Sequence, residues 1–335
     1  MAATAGPPID LDRLRADWRA ALGAAEHALA ATSAYLTPED WHARRRRLEE
    51  ELAPTTALLQ ALARDEDVPP ALAQPFVPRG MARRLLRLPP AVTSCVFNLE
   101  GVLVGSVALH VAAWQRTFDE FLGERVESTH RRSLAPFDPQ SDYPPLHGNP
   151  RLVGVRTFLA TRGIRLPEGS PADAPGTESV HGLANRKSEV LDNLLAGQGV
   201  AAFEGSRHYL ELAHDAGVRC AVVSASAHTE EILERAGLAN LVDARVDAET
   251  IIAEHLPGRP APDRLLAACR KLGVEPAHAA VFETSTTGVA AGRAAGFRLV
   301  VAVERTEDAA HVHALRVEGA DLVVPALAEL LERAA

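Results

Sequence analysis

Two hydrophobic periods divide this chain. Up to about residue 90 the apolar positions recur at spacings of three and four. Leu11, Leu14, Trp18, Leu22, Ala25 and Leu29 place one apolar stripe along a predicted helix of about five turns. A second helix is predicted to start at Thr37, whose hydroxyl can cap free amides ahead of Pro38, with Glu39 and Asp40 meeting the positive helix end. The Pro-rich stretch from Val68 to Pro78 and the basic segment from Arg79 to Arg87 read as a connector that docks on the next domain. From Ala91 onward the pattern changes to short, continuous apolar runs separated by helical periods. Such alternation predicts an α/β, doubly wound parallel sheet with ligands at the carboxyl ends of its strands. The runs are Cys95 to Phe97, Cys220 to Val223, Ala279 to Phe282, Leu299 to Val303 and the closing Gly319 to Val324. Trp114, Phe118 and Phe121 follow at helical spacing and are expected to pack in a core.

Composition narrows the class without naming a chemistry. A chain of 335 residues with 47% hydrophobic content suffices for two domains and a substantial core. The formal charge of −9 argues against nonspecific nucleic-acid or anionic-membrane binding, both of which need concentrated basic surface. The run Arg44 to Arg47 does not change that. Arg45 with Glu49, Arg46 with Glu50 and Arg47 with Glu51 stand four apart, the spacing of intrahelical ion pairs on a solvated face. Lys187 and Lys271 are the only lysines among many arginines. Cys95, Cys220 and Cys269 are odd in number and lack metal-type spacing, so buried, reduced thiols are expected. No basic-then-apolar leader opens the chain and no apolar run reaches the roughly 20 residues needed to span a bilayer, so the expected location is the cytoplasm.

The candidate chemistry sits where the predicted strands end. The first run leads into Asn98-Leu99-Glu100-Gly101-Val102, followed by Ser106, His110 and Trp114. The second ends in Ser224-Ala225-Ser226. Gly258-Arg259-Pro260-Ala261-Pro262-Asp263 forms a third segment, and Glu283-Thr284-Ser285-Thr286-Thr287-Gly288-Val289 a fourth. Asp263 and Ser285 to Thr287 are expected at helix starts. His311 and His313, two apart on a helix near Asp308, face different ways and read as polar surface rather than a metal cluster.

Taken in order over about 240 residues, the four segments resemble the motifs of the haloacid dehalogenase superfamily, in its β-phosphoglucomutase-like branch. That family's first motif is Asp-x-Asp-Gly-Val, its third carries Lys-Pro-x-Pro-Asp, and its fourth usually shows Glu-Asp before Gly-Val. The resemblance implies a core of residues 91–107 plus 204–335, a helical cap at 108–203 and an extra N-terminal helical region at 1–90. Within the cap, Pro136-Phe137-Asp138-Pro139, Asp142-Tyr143, Gly148-Asn149-Pro150-Arg151, Gly154 to Leu159 and Asn185-Arg186-Lys187 resemble members with Gly-Lys-Pro-Arg in the same place. Asn149 replaces that lysine, and His147 and Val153 stand where those relatives commonly show aspartates. Arg151, which would contact a distal phosphate, is kept. His110 is expected as a hinge or substrate-facing residue.

By the same resemblance, Asn98 stands at the attacking aspartate, Glu100 at the acid–base aspartate, and Thr284 at a metal-binding aspartate. An amide neither carries the charge of a carboxylate nucleophile nor forms an acyl phosphate. Glu100 keeps a titratable group one methylene longer. Asn98, Glu100, Glu283 and Thr284 would form a degenerate Mg²⁺ site, because that small hard ion wants anionic oxygens in octahedral array. Ser106, His110, Arg151, Ser224, Ala225, Ser226 and Arg259 are the candidate phosphate-binding set. The expectation is therefore a catalytically impaired protein retaining a pocket for a phosphorylated small molecule, with no cofactor or weak Mg²⁺. One alternative is an active phosphatase or phosphomutase using Mg²⁺ on a sugar phosphate, with Glu100 activating water. The other is a structural or assembly role in which residues 1–90 contact a protein partner or a second copy.

Overall fold

A computed structural model describes residues 82–83, 85–129, 135–306 and 308–331. The helices expected before residue 80, with their Arg–Glu pairs, lie outside the described residues. The chain divides into two compact units. In the first (residues 1–87, 215–217 and 332–335) the described part includes one helical turn, closed by the Leu86 amide on the Ala82 carbonyl at 3.1 Å. The second, Leu88–His214 with Val218–Leu331, carries the sheet and everything discussed below.

Its strands are β1 (Ser94–Asn98), β2 (Arg219–Val223), β3 (Ala244–Val246), β4 (Ala279–Glu283), β5 (Leu299–Val303) and β6 (Leu322–Val324). They form one parallel sheet in the order β3-β2-β1-β4-β5-β6. Every position of β1 and β4 is buried, as continuous apolar runs covered on both faces should be. On one face Phe97 stacks on Phe282 at 4.5 Å, and Tyr209 meets both rings edge-on at 6.2 and 5.4 Å. Such ring pairs add about 0.5–1.5 kcal/mol each beyond the area they bury. On the other face Val96, Ala221 and Val281 pack with Leu265, Ala268 and Val289. All three cysteines are buried thiols. Strand order reverses between β1 and β4, which opens a crevice at their carboxyl ends.

Between β1 and β2 the chain inserts three helices, α1 (Val107–Thr129), α2 (Arg151–Thr161) and α3 (Val180–Gln198), before α4 (Glu204–Asp215) returns to the sheet. The insertion has its own core, where Phe118 stacks between Trp114 at 5.0 Å and Phe158 at 3.7 Å, with Phe121, Phe137 and Leu183 around them. Gly154 is required there, since a Cβ would stand 2.8 Å from the Trp114 ring. The Pro136 to Tyr143 segment also has a structural reason. Arg162 forks both nitrogens onto Asp142 at 3.0 and 2.6 Å, and Asp142 accepts the Asp138 amide at 2.9 Å.

The remaining helices are α5 (Thr229–Arg235), α6 (Ala248–Ala253), α7 (Asp263–Leu272), α8 (Thr286–Ala295) and α9 (Ala309–Val317). Ser285 caps α8 as expected, accepting the Gly288 amide at 3.1 Å. Asp263 does not cap α7. Pro262 holds the cap position, and Asp263 is the first helical residue, where its charge still favours the helix start. Asp308 caps α9, and His311 is held against Glu304 rather than left on a polar surface. Among the described residues no helix is long and apolar enough to cross a membrane.

Candidate functional site

The turn after β1 is tight because Gly101 adopts φ +82°, with a Cβ position only 3.0 Å from the Thr284 methyl carbon. Arg305 fixes it from below, donating to the Gly101 and Val102 carbonyls at 2.8 and 3.1 Å while lying over the Phe203 ring. Asn98, Glu100, Glu283 and Thr284 are thereby brought together at the carboxyl ends of β1 and β4, as the sequence predicts. Their arrangement is a connected network in which Glu283 Oε2 is buried with no hydrogen-bond partner among the described residues. The Asn98 carboxamide donates from Nδ2 to the Glu100 carbonyl at 2.8 Å and, more weakly, to the Thr284 hydroxyl at 3.4 Å. Its Oδ1 accepts from Arg259 Nη2 at 3.2 Å, and the same nitrogen reaches Glu283 Oε1 at 2.5 Å. Burial pushes the fully covered Glu283 carboxyl up, against the opposing pull of Arg259.

Glu100 turns its side chain the other way. Ser224 donates its hydroxyl to Glu100 Oε1 at 2.8 Å and accepts the Ser226 amide at 3.1 Å. The predicted phosphate-gripping hydroxyl is therefore committed to a carboxylate. Burial raises the Glu100 carboxyl above its ordinary range, while Ser224, Arg259 and Lys187 pull it back. His110 Nε2 stands 3.9 Å from Glu100 and has no hydrogen-bond partner among the described residues, while His110 Nδ1 lies 3.2 Å from Lys187 Nζ. Burial, then the neighbouring Lys187, holds His110 well below the usual histidine range. Lys187 is itself brought down to about 7 by burial, with Glu100 opposing, and its Nζ sits 5.5 Å over the Trp114 ring.

Glu100, His110, Trp114 and Lys187 line a cavity of about 90 Å³ between the sheet and the insertion, room for a small anion or a handful of waters. Arg151, Ser188, Ala225, Ser226 and His228 complete its walls. Arg151 Nε is buried with no hydrogen-bond partner among the described residues. His228 Nε2 pairs with Asp192 of α3 at 2.7 Å, which ties the loop after β2 to the insertion. A wider groove of about 660 Å³ opens beyond Glu100, lined by Tyr143, Arg259, Thr284 and Glu304 to Thr306. Of the three substituted insertion positions, His147 and Asn149 line both spaces. Val153 is 40% exposed and lines neither.

Ser106 is the one candidate the structure moves away. Its side chain is fully buried, its Oγ has no partner among the described residues, and it borders neither space. Lys187 and His228 were not among the candidates. Lys187 had a usable signal, as one of only two lysines in an arginine-rich chain. His228 had none, because its role depends on α3 crossing above it.

A family model described as haloacid dehalogenase-like hydrolase matches residues 92–296. Proteins named β-phosphoglucomutase from Mycobacterium bovis and Mycobacterium tuberculosis are 49% identical over 249 residues, 74% of this chain and 95% of theirs. Among solved structures, β-phosphoglucomutase from Clostridium difficile aligns with a TM-score of 0.57 at 18% identity over 71% of this chain and 93% of that one. A Rhodobacter sphaeroides CbbY crystallised with phosphate aligns at 0.53 with 23% identity, over 71% and 96%. At those identities the structures speak to the fold.

Proposed function

This chain belongs to the haloacid dehalogenase-like hydrolases, in their β-phosphoglucomutase-like branch, and from that premise we propose that it is a binding protein for a phosphorylated small molecule with little or no turnover. The observation that carries the reading is the state of Asn98. Where the family places an attacking carboxylate, this side chain is an amide with both ends engaged, Oδ1 by Arg259 and Nδ2 by the Glu100 carbonyl. It has no charge to bring to phosphorus and no labile acyl phosphate to form.

The insertion acts as the cap of this pocket, and the anion is held on its side. Arg151 offers an unanswered donor, Lys187 a near-neutral amine ready to take a proton, and Ser226 and Asn149 neutral polar groups. An arriving phosphate charge favours the protonated lysine, so binding and proton uptake reinforce one another near pH 7. Ser224 contributes by orienting Glu100 rather than by touching phosphate.

A second reading has one specific observation in its favour. Glu100 is buried, raised above the ordinary carboxylate range and held by Ser224, which are properties of a general acid or base. In that reading Glu100 activates a water against a phosphomonoester, and the relatives named β-phosphoglucomutase point to a sugar phosphate as the class.

One experiment separates them. Phosphate release from a panel of sugar phosphates and an aryl phosphate is followed with and without Mg²⁺, beside an Asn98→Asp, Glu100→Asp, Thr284→Asp variant. Melting is followed in parallel with added inorganic phosphate, since a ligand of the folded state raises the melting point. The expected result is a silent natural chain, a variant that turns over, and a phosphate-dependent rise in melting temperature. Turnover by the natural chain that co-purifies with the folded protein would establish the second reading instead.

A further inference from the structure

A second group of ligating side chains lies beside the inner cavity and takes no part in the network at the strand ends. His228 follows β2 and precedes α5, Glu231 stands three residues on, in the first turn of that helix, and Asp192 comes from α3 of the insertion. Residues three apart at a helix start present their side chains to one side. His228 Nε2 meets Asp192 Oδ1 at 2.7 Å, and one ligand atom from each of the three residues lies within 4.8 Å of the other two. Among the described residues no other three histidines, cysteines or acids converge this closely. Glu231 Oε1 also accepts from Arg235 Nε at 2.8 Å, an exposed pair of little strength that uses one of its two oxygens. An ion pair with His228 needs a single carboxylate. Here two converge on the imidazole from separate parts of the chain.

From this convergence we infer that Asp192, His228 and Glu231 form a transition-metal site of the Zn²⁺ class that staples the insertion to the sheet. One imidazole nitrogen and two carboxylate oxygens are ligands that Zn²⁺ accepts, with water as the fourth. Ligand atoms about 2.0–2.2 Å from one tetrahedral ion stand about 3.3–3.6 Å apart. The spread of 4.8 Å is within reach of side-chain rotation, since the Asp192 side chain is 54% exposed and that of Glu231 35%. Zn²⁺ takes the place of the proton between His228 Nε2 and Asp192, and the ring keeps its other proton on Nδ1. Two carboxylates and one dication are neutral together. Lys187, which also faces Asp192, is brought down to about 7 and competes weakly. Mg²⁺, the ion this family typically uses, prefers oxygens alone and belongs with the carboxylates at the strand ends, where Glu283 Oε2 is buried without a hydrogen-bond partner among the described residues. Because the staple draws its ligands from the insertion and from the sheet side, the ion binds while the insertion is down. Metal binding and closure therefore favour one another, and since His228 also lines the inner cavity, a stapled insertion holds that cavity shut.

The test needs neither phosphate nor turnover and so stands apart from the pocket reading. The full chain, freed of metal with a chelator, is titrated with Zn²⁺ in a calorimeter beside Asp192→Asn, His228→Gln and Glu231→Gln. One Zn²⁺ per chain is expected for the natural protein. Each variant should weaken binding by about tenfold or more, a loss seen even for outer-shell partners of metal ligands. Should His228→Gln fail to fold, the two variants at the more exposed carboxylates carry the same comparison. Co²⁺ in place of Zn²⁺ should give the visible absorption of a four-coordinate site in the natural chain and lose it in Asp192→Asn. Amide exchange in α3 and in the loop after β2 should slow on adding Zn²⁺ to the natural chain and stay unchanged in Asp192→Asn. Absence of Zn²⁺ binding would overturn the inference. So would binding that Asp192→Asn leaves as tight as before, because the ion would then lie elsewhere and the staple would lack its insertion end. A chain that binds Zn²⁺ here but not phosphate keeps this inference and loses the pocket reading, and the converse result does the reverse.

Discussion

The two walls of the crevice solve the same problem, buried charge, in opposite ways. At the ends of β1 and β4, Asn98, Arg259, Glu283 and Thr284 answer one another, and the group is electrically neutral. On the insertion side, Lys187, Arg151 and His110 gather with Glu100 and Asp192 against them, and Arg151 Nε and His110 Nε2 have no hydrogen-bond partner among the described residues. Burying a charge without a partner is costly, so the first wall rests on an ion pair inside the protein, with Glu283 Oε2 left over, and the second leaves nitrogens of Arg151 and His110 unanswered among the described residues. The difference teaches where to look for a ligand in a site whose strand-end residues already engage one another. The unanswered nitrogens of the insertion side are the groups an anionic ligand would engage.

The largest expected effect breaks the satisfied wall. Arg259→Met leaves Glu283 buried without its counter-ion and should cost about 3–5 kcal/mol in denaturant unfolding. Adding Glu283→Gln should recover most of it. A loss near zero for the single variant would mean that this wall is not the balanced pair described here. The opposite sign is expected across the crevice. Burial lowers Lys187 from 10.5 to about 7, so the unfolded amine keeps a proton that the folded one gives up between those values. The resulting penalty is full below pH 7 and shrinks as pH rises toward 10.5. Lys187→Met should therefore stabilise the chain by roughly 2–4 kcal/mol at pH 6 and by clearly less at pH 9. Equal gains at both values would remove the charge-penalty argument. Arg151→Ala sharpens the contrast through binding. It should lower inorganic phosphate affinity about tenfold, near 1.4 kcal/mol, while melting in phosphate-free buffer stays the same. A smaller effect tests the frame shared by both walls. Ser285→Ala, which removes the α8 cap, should cost about 1 kcal/mol, and an unchanged melting temperature would show that the Gly288 amide finds another acceptor.

How much of this was readable beforehand depends on what each residue answers to. The sheet was legible because Cys95 to Phe97 and Ala279 to Phe282 are apolar at every position, a pattern with few other uses in a buried parallel strand. Asn98, Glu283 and Thr284 were placed together because strand ends in this topology converge. Partnerships were harder. Ser224 carries the hydroxyl the motif calls for, yet its proton goes to Glu100, and one extra methylene in that side chain is what lets it reach. Ser106 sits one turn before His110 but is packed inward, which periodicity at a helix start does not resolve. Lys187 and His228 lie 41 residues apart in sequence (228 − 187) and share a cavity only because α3 crosses over the loop after β2.

One contact belongs to neither wall. Arg264, at the start of α7 and 4% exposed, donates to the Gly148 carbonyl of the insertion at 2.7 Å. A swing of the insertion off the sheet breaks that bond and floods a sheltered guanidinium with water at the same moment. Together with the His228–Asp192 pair, that bond ties the insertion down, and amide exchange in the stretch after Gly148 should quicken in Arg264→Lys.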